Sequence, residues 1–284
     1  MNPKIKTLFH ADTNTCCHLV WDPGTKKAVI IDPVLDFDPA SGRIATTFAD
    51  ELVKFIQQAD LAIEYILETH AHADHVTAAQ YLKKLFDCPV GIGGGICSVQ
   101  KIFVSALNLN NVPTDGSQFD RLFHDDEEFE VGGMTVRVLH TPGHTNDSVT
   151  YLIGNTMFVG DTLFMPDFGT ARCDFPGGDA EMLHASIEKI FSLPEDTRLM
   201  LCHDYGEQGR EIQWETTVME ERETNIHLTG RTREQFVALR KERDAQLNVP
   251  RLLYPSIQVN IRAGHMPDAE ENGVVYLKIP LDQS

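Results

Sequence analysis

The chain has 284 residues, 42% hydrophobic and 23% charged, with 24 Lys plus Arg against 42 Asp plus Glu and a formal charge of -18. So acidic a balance excludes the electrostatic footprint of a nucleic-acid or anionic-membrane binder. The apolar content suffices for a globular core, and the length allows one large domain or a domain with a terminal extension.

Three strands are predicted first: Ile5 to His10, Cys17 to Trp21 and Lys27 to Asp32. Asp22-Pro23-Gly24 turns the second into the third, and Asp32-Pro33 closes the third. Phe37 to Ile44 reads as loop. Thr47 to Ala59 carries Phe48, Leu52, Phe55 and Ile56 at helical spacing and is predicted to be an amphipathic helix. A buried strand, Ala62 to Leu67, and a helix, Val76 to Phe86, flank the stretch Thr69 to His75. Pro89 to Ile92 reads as a strand. The glycine cluster after it lacks the Gly-Lys-Ser/Thr of a phosphate loop and reads as a turn before a helix at about 98 to 108. Hairpins follow at Glu128 to Leu139 and Val149 to Val159. Then come a helix over Asp179 to Phe191, a short strand over Arg198 to Cys202, and a mostly helical remainder from about Trp214. Strands and helices alternate in both halves, which by periodicity alone gives mixed α/β. The six cysteines, Cys16, Cys17, Cys88, Cys97, Cys173 and Cys202, form no C-x-x-C pair, and no 18-residue apolar run occurs. A soluble, cytoplasmic chain with reduced thiols is therefore expected.

Four potential metal ligands, His70, His72, Asp74 and His75, fall within six residues on a strand-to-helix turn. His70 and His72 are two apart, so extended backbone sends both to one side. Three more ligands each follow a strand-like run: His144 in Thr141-Pro142-Gly143-His144-Thr145, Asp161 in Val159-Gly160-Asp161-Thr162, and His203 in Leu201-Cys202-His203. Imidazole with carboxylate is a donor set for zinc, iron or manganese rather than calcium. Buried polar groups this numerous need a cation to compensate them.

In this order and spacing, His-x-His-x-Asp-His, Pro-Gly-His-Thr, Gly-Asp and a late His resemble the metallo-β-lactamase superfamily, over roughly residues 5 to 205. The resemblance implies an αβ/βα sandwich with metal at the edge between two sheets. Residues 1–210 are then expected to form the catalytic domain, and 211–284 a mostly helical extension packing on it. By position in the binuclear hydrolases of the superfamily, such as glyoxalase II, His70, His72 and His144 would hold one zinc. Asp74, His75 and His203 would hold a second, with Asp161 bridging.

The block Gly169-Thr170-Ala171-Arg172-Cys173-Asp174-Phe175, followed by Pro176-Gly177-Gly178-Asp179-Ala180, is similar to the Gly-x-x-Arg-x-Asp-Phe block of persulfide dioxygenases. So are His203-Asp204-Tyr205, the run Glu215 to Glu221, and Asn225. In that family one Fe(II) is held at the positions of His70, His144 and Asp161, a two-histidine, one-carboxylate triad with open positions. His72, Asp74, His75 and His203 would then orient ligands and water by hydrogen bonds. Arg172 and Tyr205 would contact the thiol substrate, guanidinium suiting a glutathione carboxylate. The implied reaction oxidises glutathione persulfide, or a related thiol persulfide, with O2 to sulfite and thiol, as in sulfide detoxification. The alternative is a binuclear zinc hydrolase of glyoxalase II thioesters or of lactones. The intact ligand set argues against a third reading, an idle sensor or interaction module. A homodimer is expected by analogy alone. One departure stands out: animal members have Gly-Arg-Thr-Asp-Phe where this chain has the longer block at 169–175.

The remaining candidates have plainer readings. His140, His10, His18, His124, His184, His227 and His265 read as packing or surface groups, Cys173 as a structural thiol, and Trp214 and Phe236 as core. The charges from Arg231 to Arg243 read as one solvated helix face. Glutathione-handling relatives use basic C-terminal residues, which leaves a substrate role open for one of these.

Overall fold

The computed structural model describes residues 3–281; the outermost residues of the two expected segments, 1–2 and 282–284, lie outside the described residues. The chain begins as an antiparallel meander of β1 (Lys4–His10), β2 (Thr15–Trp21) and β3 (Lys27–Ile31). β4 (Val34–Asp38) and β5 (Arg43–Ala45) form a small hairpin. α1 (Thr47–Ala59) then crosses to β6 (Ala62–Leu67), which lies parallel to β3. After β7 (Val76–Thr77) and α2 (Ala79–Phe86), β8 (Val90–Gly93) joins β6, and α3 (Ile96–Ala106) leads to β9 (Arg121–Phe123). Six of these nine strands make one sheet in the order β1-β2-β3-β6-β8-β9, while β5, β4 and β7 form a small sheet of their own.

The second sheet repeats the plan. β10 (Glu128–Val131), β11 (Met134–His140), β12 (Val149–Ile153) and β13 (Thr156–Phe158) run antiparallel. α4 (Ala180–Phe191) crosses to β14 (Arg198–Met200), parallel to β13, and β15 (Glu215–Thr217) closes the edge. α5 (Val218–Thr224), α6 (Arg233–Asp244) and α7 (Leu253–Asn260) follow.

The alternation within β3 shows why the layers form. Val29 and Ile31 face the second sheet, where Phe129, Val136, Val138, Tyr151 and Phe158 meet them. Ala28 and Ile30 face the other way, onto Leu52, Ile56, Leu82 and Val99 of the helices. A strand buried on both faces reads as one continuous apolar run, as Ala28 to Ile31 does. On the far side of the second sheet, Leu183, Ile187 and Ile190 of α4 and Phe236 of α6 cover Met157 and Leu199. The result is the expected αβ/βα sandwich. No helix among the described residues is long and apolar enough to cross a membrane.

Four expectations need correction. Phe37 to Ile44 is not loop, because Phe37 pairs with Ile44 across the β4–β5 hairpin. The helix expected from Val76 starts at Ala79; Val76 and Thr77 pair with β4, and Thr77 Oγ1 accepts the Ala79 N–H at 3.1 Å. Asp74 and His75 therefore sit in a loop rather than at a helix start. The expected boundary at 210 cuts through the second sheet, since β15 pairs with β14. Beyond it, Ile257 and Val259 of α7, with Ile261 just after it, are buried in the core of the first half.

Candidate metal centre

The seven ligand candidates converge where the two sheets meet. Backbone bonds lock the seam: Val149 N–H donates to Thr69 O at 2.8 Å, and Cys16 N–H to Cys202 O at 2.7 Å. Two glycines permit the closeness. Gly160, at φ +54°, lies so near Thr69 that a Cβ would stand 2.7 Å from its Oγ1. Gly143, at φ +140°, would drive a Cβ to 2.3 Å from the backbone of Leu183 in α4. Such φ values disfavour any side chain.

His70, His144 and Asp161 form one set whose ligand atoms all lie within 4.8 Å of one another, and His72, Asp74 and His75 form another. Asp161 Oδ2 stands 3.9 Å from His70 Nε2 and 3.6 Å from His144 Nε2. Its Oδ1 is 3.3 Å from His203 Nε2, which is 3.0 Å from Asp74 Oδ2. Asp161 thus stands between the two sets.

Each histidine has one ring nitrogen fixed by a neighbour and the other aimed inward. His144 Nδ1 donates to Arg172 O at 2.8 Å, and His203 Nδ1 to Asn14 O at 3.0 Å. A carbonyl can only accept, so the proton sits on Nδ1 and the Nε2 lone pair is free. Thr69 Oγ1 donates to Asp32 Oδ2 at 2.9 Å, and therefore accepts from His70 Nδ1 at 3.0 Å. His72 turns the other way: its Nε2 donates to Asp32 Oδ1 at 3.0 Å, with Glu68 Oε2 at 3.4 Å. His75 Nδ1 lies 3.4 Å from Asp74 Oδ1.

The inward atoms test whether a cation fits. Nε2 of His70, His75 and His203, Nδ1 of His72 and Oδ1 of Asp161 are buried without hydrogen-bond partners. Orphaned polar atoms cost about 1–3 kcal/mol each. A converging set of lone pairs is accounted for by a metal ion, and these residues fit one. Electrostatics differ across the centre. Burial and the neighbouring His72 and His144 hold His70 well below the ordinary imidazole range, and burial pushes His75 down to about 4. Burial opposes the charge on His72 and His203 too. There carboxylates prevail: Asp32 and Glu68 raise His72, while Asp74 and Asp161 raise His203.

A cavity of about 220 Å³ opens over His144 and Asp161, walled by Phe164, Phe168, Phe175 and Tyr205. Tyr205 stacks on Phe168 with centroids 4.3 Å apart. Arg172 lines it, but Asp174 already engages its guanidinium with two bonds of 2.6 Å, and its Nη1 donates to Asn248 O. Arg243 also lines the cavity; its Nη1 lies 3.4 Å from His227 Nε2, and among the described residues it has no carboxylate partner. Burial raises Cys173 to about 12, leaving an inert thiol.

Several supporting residues were not singled out from sequence. Asp32 is buried and holds Thr69 N–H at 2.7 Å in addition to His72. Asp147 accepts the Ala71 N–H at 2.8 Å. Asn260 of α7 donates to both His72 O and His75 O at 2.8 Å. The Asp-Pro after an apolar strand was a usable signal for Asp32; Asn260 offered none. The solvated-face reading fails at Arg240, which is 1% exposed and paired with buried Asp244. His227 is a satisfied buried group that accepts the Thr170 N–H at 2.9 Å. His140 lies away from the centre and bonds Phe123 O.

The family described as "Metallo-beta-lactamase superfamily" matches residues 12–203. The chain is 49% identical to a "Beta-lactamase hydrolase-like protein" of Xylella fastidiosa over 99% of its own length, but spans only 65% of that relative. It is 49% identical to "Glyoxylase B2" of Dictyostelium discoideum, covering 98% of this chain and 97% of that one. It is 30% identical to "Persulfide dioxygenase ETHE1, mitochondrial" of Homo sapiens, covering 92% and 88%. Among solved structures, ETHE1 from Myxococcus xanthus superposes with a TM-score of 0.74 at 29% identity, over 92% of this chain and all of that one.

Proposed function

The chain belongs to the metallo-beta-lactamase superfamily, a family of metal-dependent enzymes, and on that premise we propose that it is a persulfide dioxygenase. Its reaction is RSSH + O2 + H2O → RSH + sulfite + two protons, with the terminal sulfur oxidised by four electrons and O2 reduced by four. The observation that carries this reading is the set His70, His144 and Asp161, two imidazoles and one carboxylate near enough to share one ion, while Asp32 and Glu68 hold Nε2 of His72. Two histidines and one carboxylate with open positions are the donor set of non-haem Fe(II) oxygenases, where iron brings O2 and a reductant together. The 30% identity to a persulfide dioxygenase adds to it.

The chain's own residues have distinct tasks. His70, His144 and Asp161 would hold one Fe(II). Asp74, His75 and His203, with His72, would orient those ligands and water. The aromatic walls keep bulk water from the terminal sulfur. Tyr205 and Arg172 contact the organic part of the persulfide. Because Asp174 has matched the charge of Arg172, Arg243 is the cation left for a carboxylate such as that of glutathione. Six buried or half-buried free cysteines suit a reducing compartment, and we assign the protein to the cytoplasm.

One observation favours a second reading, a binuclear zinc hydrolase of glyoxalase II or lactonase type. The unpaired Nε2 atoms of His75 and His203 could hold a second ion, and relatives at 49% identity carry hydrolase or glyoxylase names. Metal analysis with oxygen uptake on glutathione persulfide separates the two. About one iron per chain with brisk uptake is expected. Two zincs, no uptake by the iron-loaded protein and rapid thioester hydrolysis would reverse the assignment.

A further inference from the structure

The carbonyl that takes the His144 Nδ1–H belongs to Arg172, and the chain on both sides of it is gripped by one buried ion pair. Arg240 Nη1 donates to Thr170 O at 3.0 Å, and Asp244 Oδ2 accepts the Cys173 N–H at 2.8 Å. Arg240 and Asp244 bond to each other one helical turn apart on α6 and are 1% and 4% exposed. A buried pair is weak evidence for stability, because desolvation offsets its attraction. Apart from a 3.4 Å contact of Arg240 Nη1 with His227 Nδ1, this pair directs its remaining hydrogen bonds to a single loop. The loop is also held at Gly169 O by Asn225 and at Thr170 N by His227. The helix presenting the pair is fixed by a Thr232–Gln235 capping box and by Phe236 in the core beneath α4.

We propose that Arg240 and Asp244 are positioning residues for the metal ligand His144. By fixing the height and direction of the Arg172 carbonyl, they fix the rotation of the imidazole and hence the aim of its Nε2 lone pair. Outer partners of metal-bound histidines act in this way, usually by direct contact; here the ion pair acts one peptide removed. The assignment rests on His144 holding a metal, and on neither the identity nor the number of ions.

Cobalt(II) tests it, titrated into the metal-free full chain against a chromophoric chelator, with the visible absorption recorded as a signature of ligand geometry. The variant is Arg240→Met combined with Asp244→Leu, which removes both charges and keeps the volume apolar. Leu82→Ala, a core change in the first half of the molecule, controls for lost stability, and His144→Ala tests the ligand itself. The double variant is expected to bind cobalt about 10–100-fold more weakly, with a shifted absorption band. Leu82→Ala is expected to keep wild-type affinity and spectrum. Unchanged affinity and spectrum in the double variant, or an equal loss in Leu82→Ala, overturns the proposal. If His144→Ala binds cobalt as the wild type does, the ligand assignment fails and the proposal with it. Should the double variant not fold, Arg240→Lys replaces it. That change keeps a charge for Asp244 but loses the guanidinium fork on Thr170, and the same outcomes decide.

Discussion

The two halves of the metal centre use the same residue types but hold them differently. His70 and His144 give their N–H groups to neutral oxygens, Thr69 Oγ1 and Arg172 O. In the other half the rings differ among themselves: Asp32 and Glu68 face the outer nitrogen of His72 and Asp74 that of His75, while His203, like His144, gives its N–H to a backbone carbonyl, Asn14 O. A neutral acceptor leaves the imidazole a plain lone-pair donor. A carboxylate makes the ring more basic, so a metal there competes with a proton. On the reading proposed above, one ion would sit on His70, His144 and Asp161, with the remaining groups orienting those ligands.

The sharpest way to break that comparison is to delete one histidine from each half. His144→Ala is expected to lower iron affinity and persulfide oxidation by more than about 100-fold, beyond the roughly 10–100-fold typical of outer partners. His203→Ala should stay inside that narrower range. Iron titration and oxygen uptake on both variants read the difference. Equal, total loss in both would mean that His203 binds metal directly, and the single-iron reading would be lost.

The halves also differ in where their support comes from. Glu68 and Asp32 stand just past the ends of β6 and β3 in the first sheet, four and forty residues before His72, whereas the loop bearing Arg172 O depends on α6, some seventy residues further on. Arg240→Ala leaves Asp244 buried without its partner, and breaking such a pair costs about 3–5 kcal/mol. A large drop in denaturation midpoint, measured in urea, is the expected result. A midpoint near wild type would show that solvent reaches Asp244.

This asymmetry explains what could be read from the residues alone. The ligands announce themselves by type and spacing, because metal chemistry restricts them to imidazole and carboxylate. The continuous apolar run Ala28 to Ile31 and the helical spacing of Leu52 and Ile56 marked a buried strand and a helix, but the layering itself came from the resemblance of the ligand pattern. Arg240 did not stand out. It sits in a run of charges, and only the fold shows that its face of α6 turns toward Thr170 rather than water. Asn260 is a single amide in a tail without pattern. β15 is three residues long, too short for alternation to register, so the edge of the second sheet was read as the start of a helical tail. At Phe37 to Ile44 the two paired strands are so short that the whole stretch was read as loop.

Acid sharpens the contrast from the C-terminal side. Burial, then the charges of Arg240 and Arg243, hold His227 down to about 3. Its folded value lies below the unfolded value of roughly 6.5. Its neutral form therefore contributes stability that is fully present above that pH and is lost as pH falls toward 3. Denaturation of the metal-free protein at pH 7 and pH 5 should show the wild type weakening more than His227→Gln, whose amide cannot take the proton. Identical pH responses would assign the acid sensitivity to other groups.

The smallest effect is expected at the start of α6, and its value lies in what it leaves alone. Thr232 Oγ1 accepts the Gln235 N–H at 3.3 Å, and Gln235 Oε1 accepts the Thr232 N–H at 2.9 Å. Losing such a cap costs about 1 kcal/mol. Arg240 and Asp244 lie two to three turns further along, held by Phe236 and by the loop they grip. Thr232→Ala should therefore lower the denaturation midpoint slightly while cobalt affinity and spectrum stay at wild-type values. If this loss of a cap also moved the spectrum, α6 would be transmitting any weakening to His144. The ion pair would then be only one of several contacts aligning that ring.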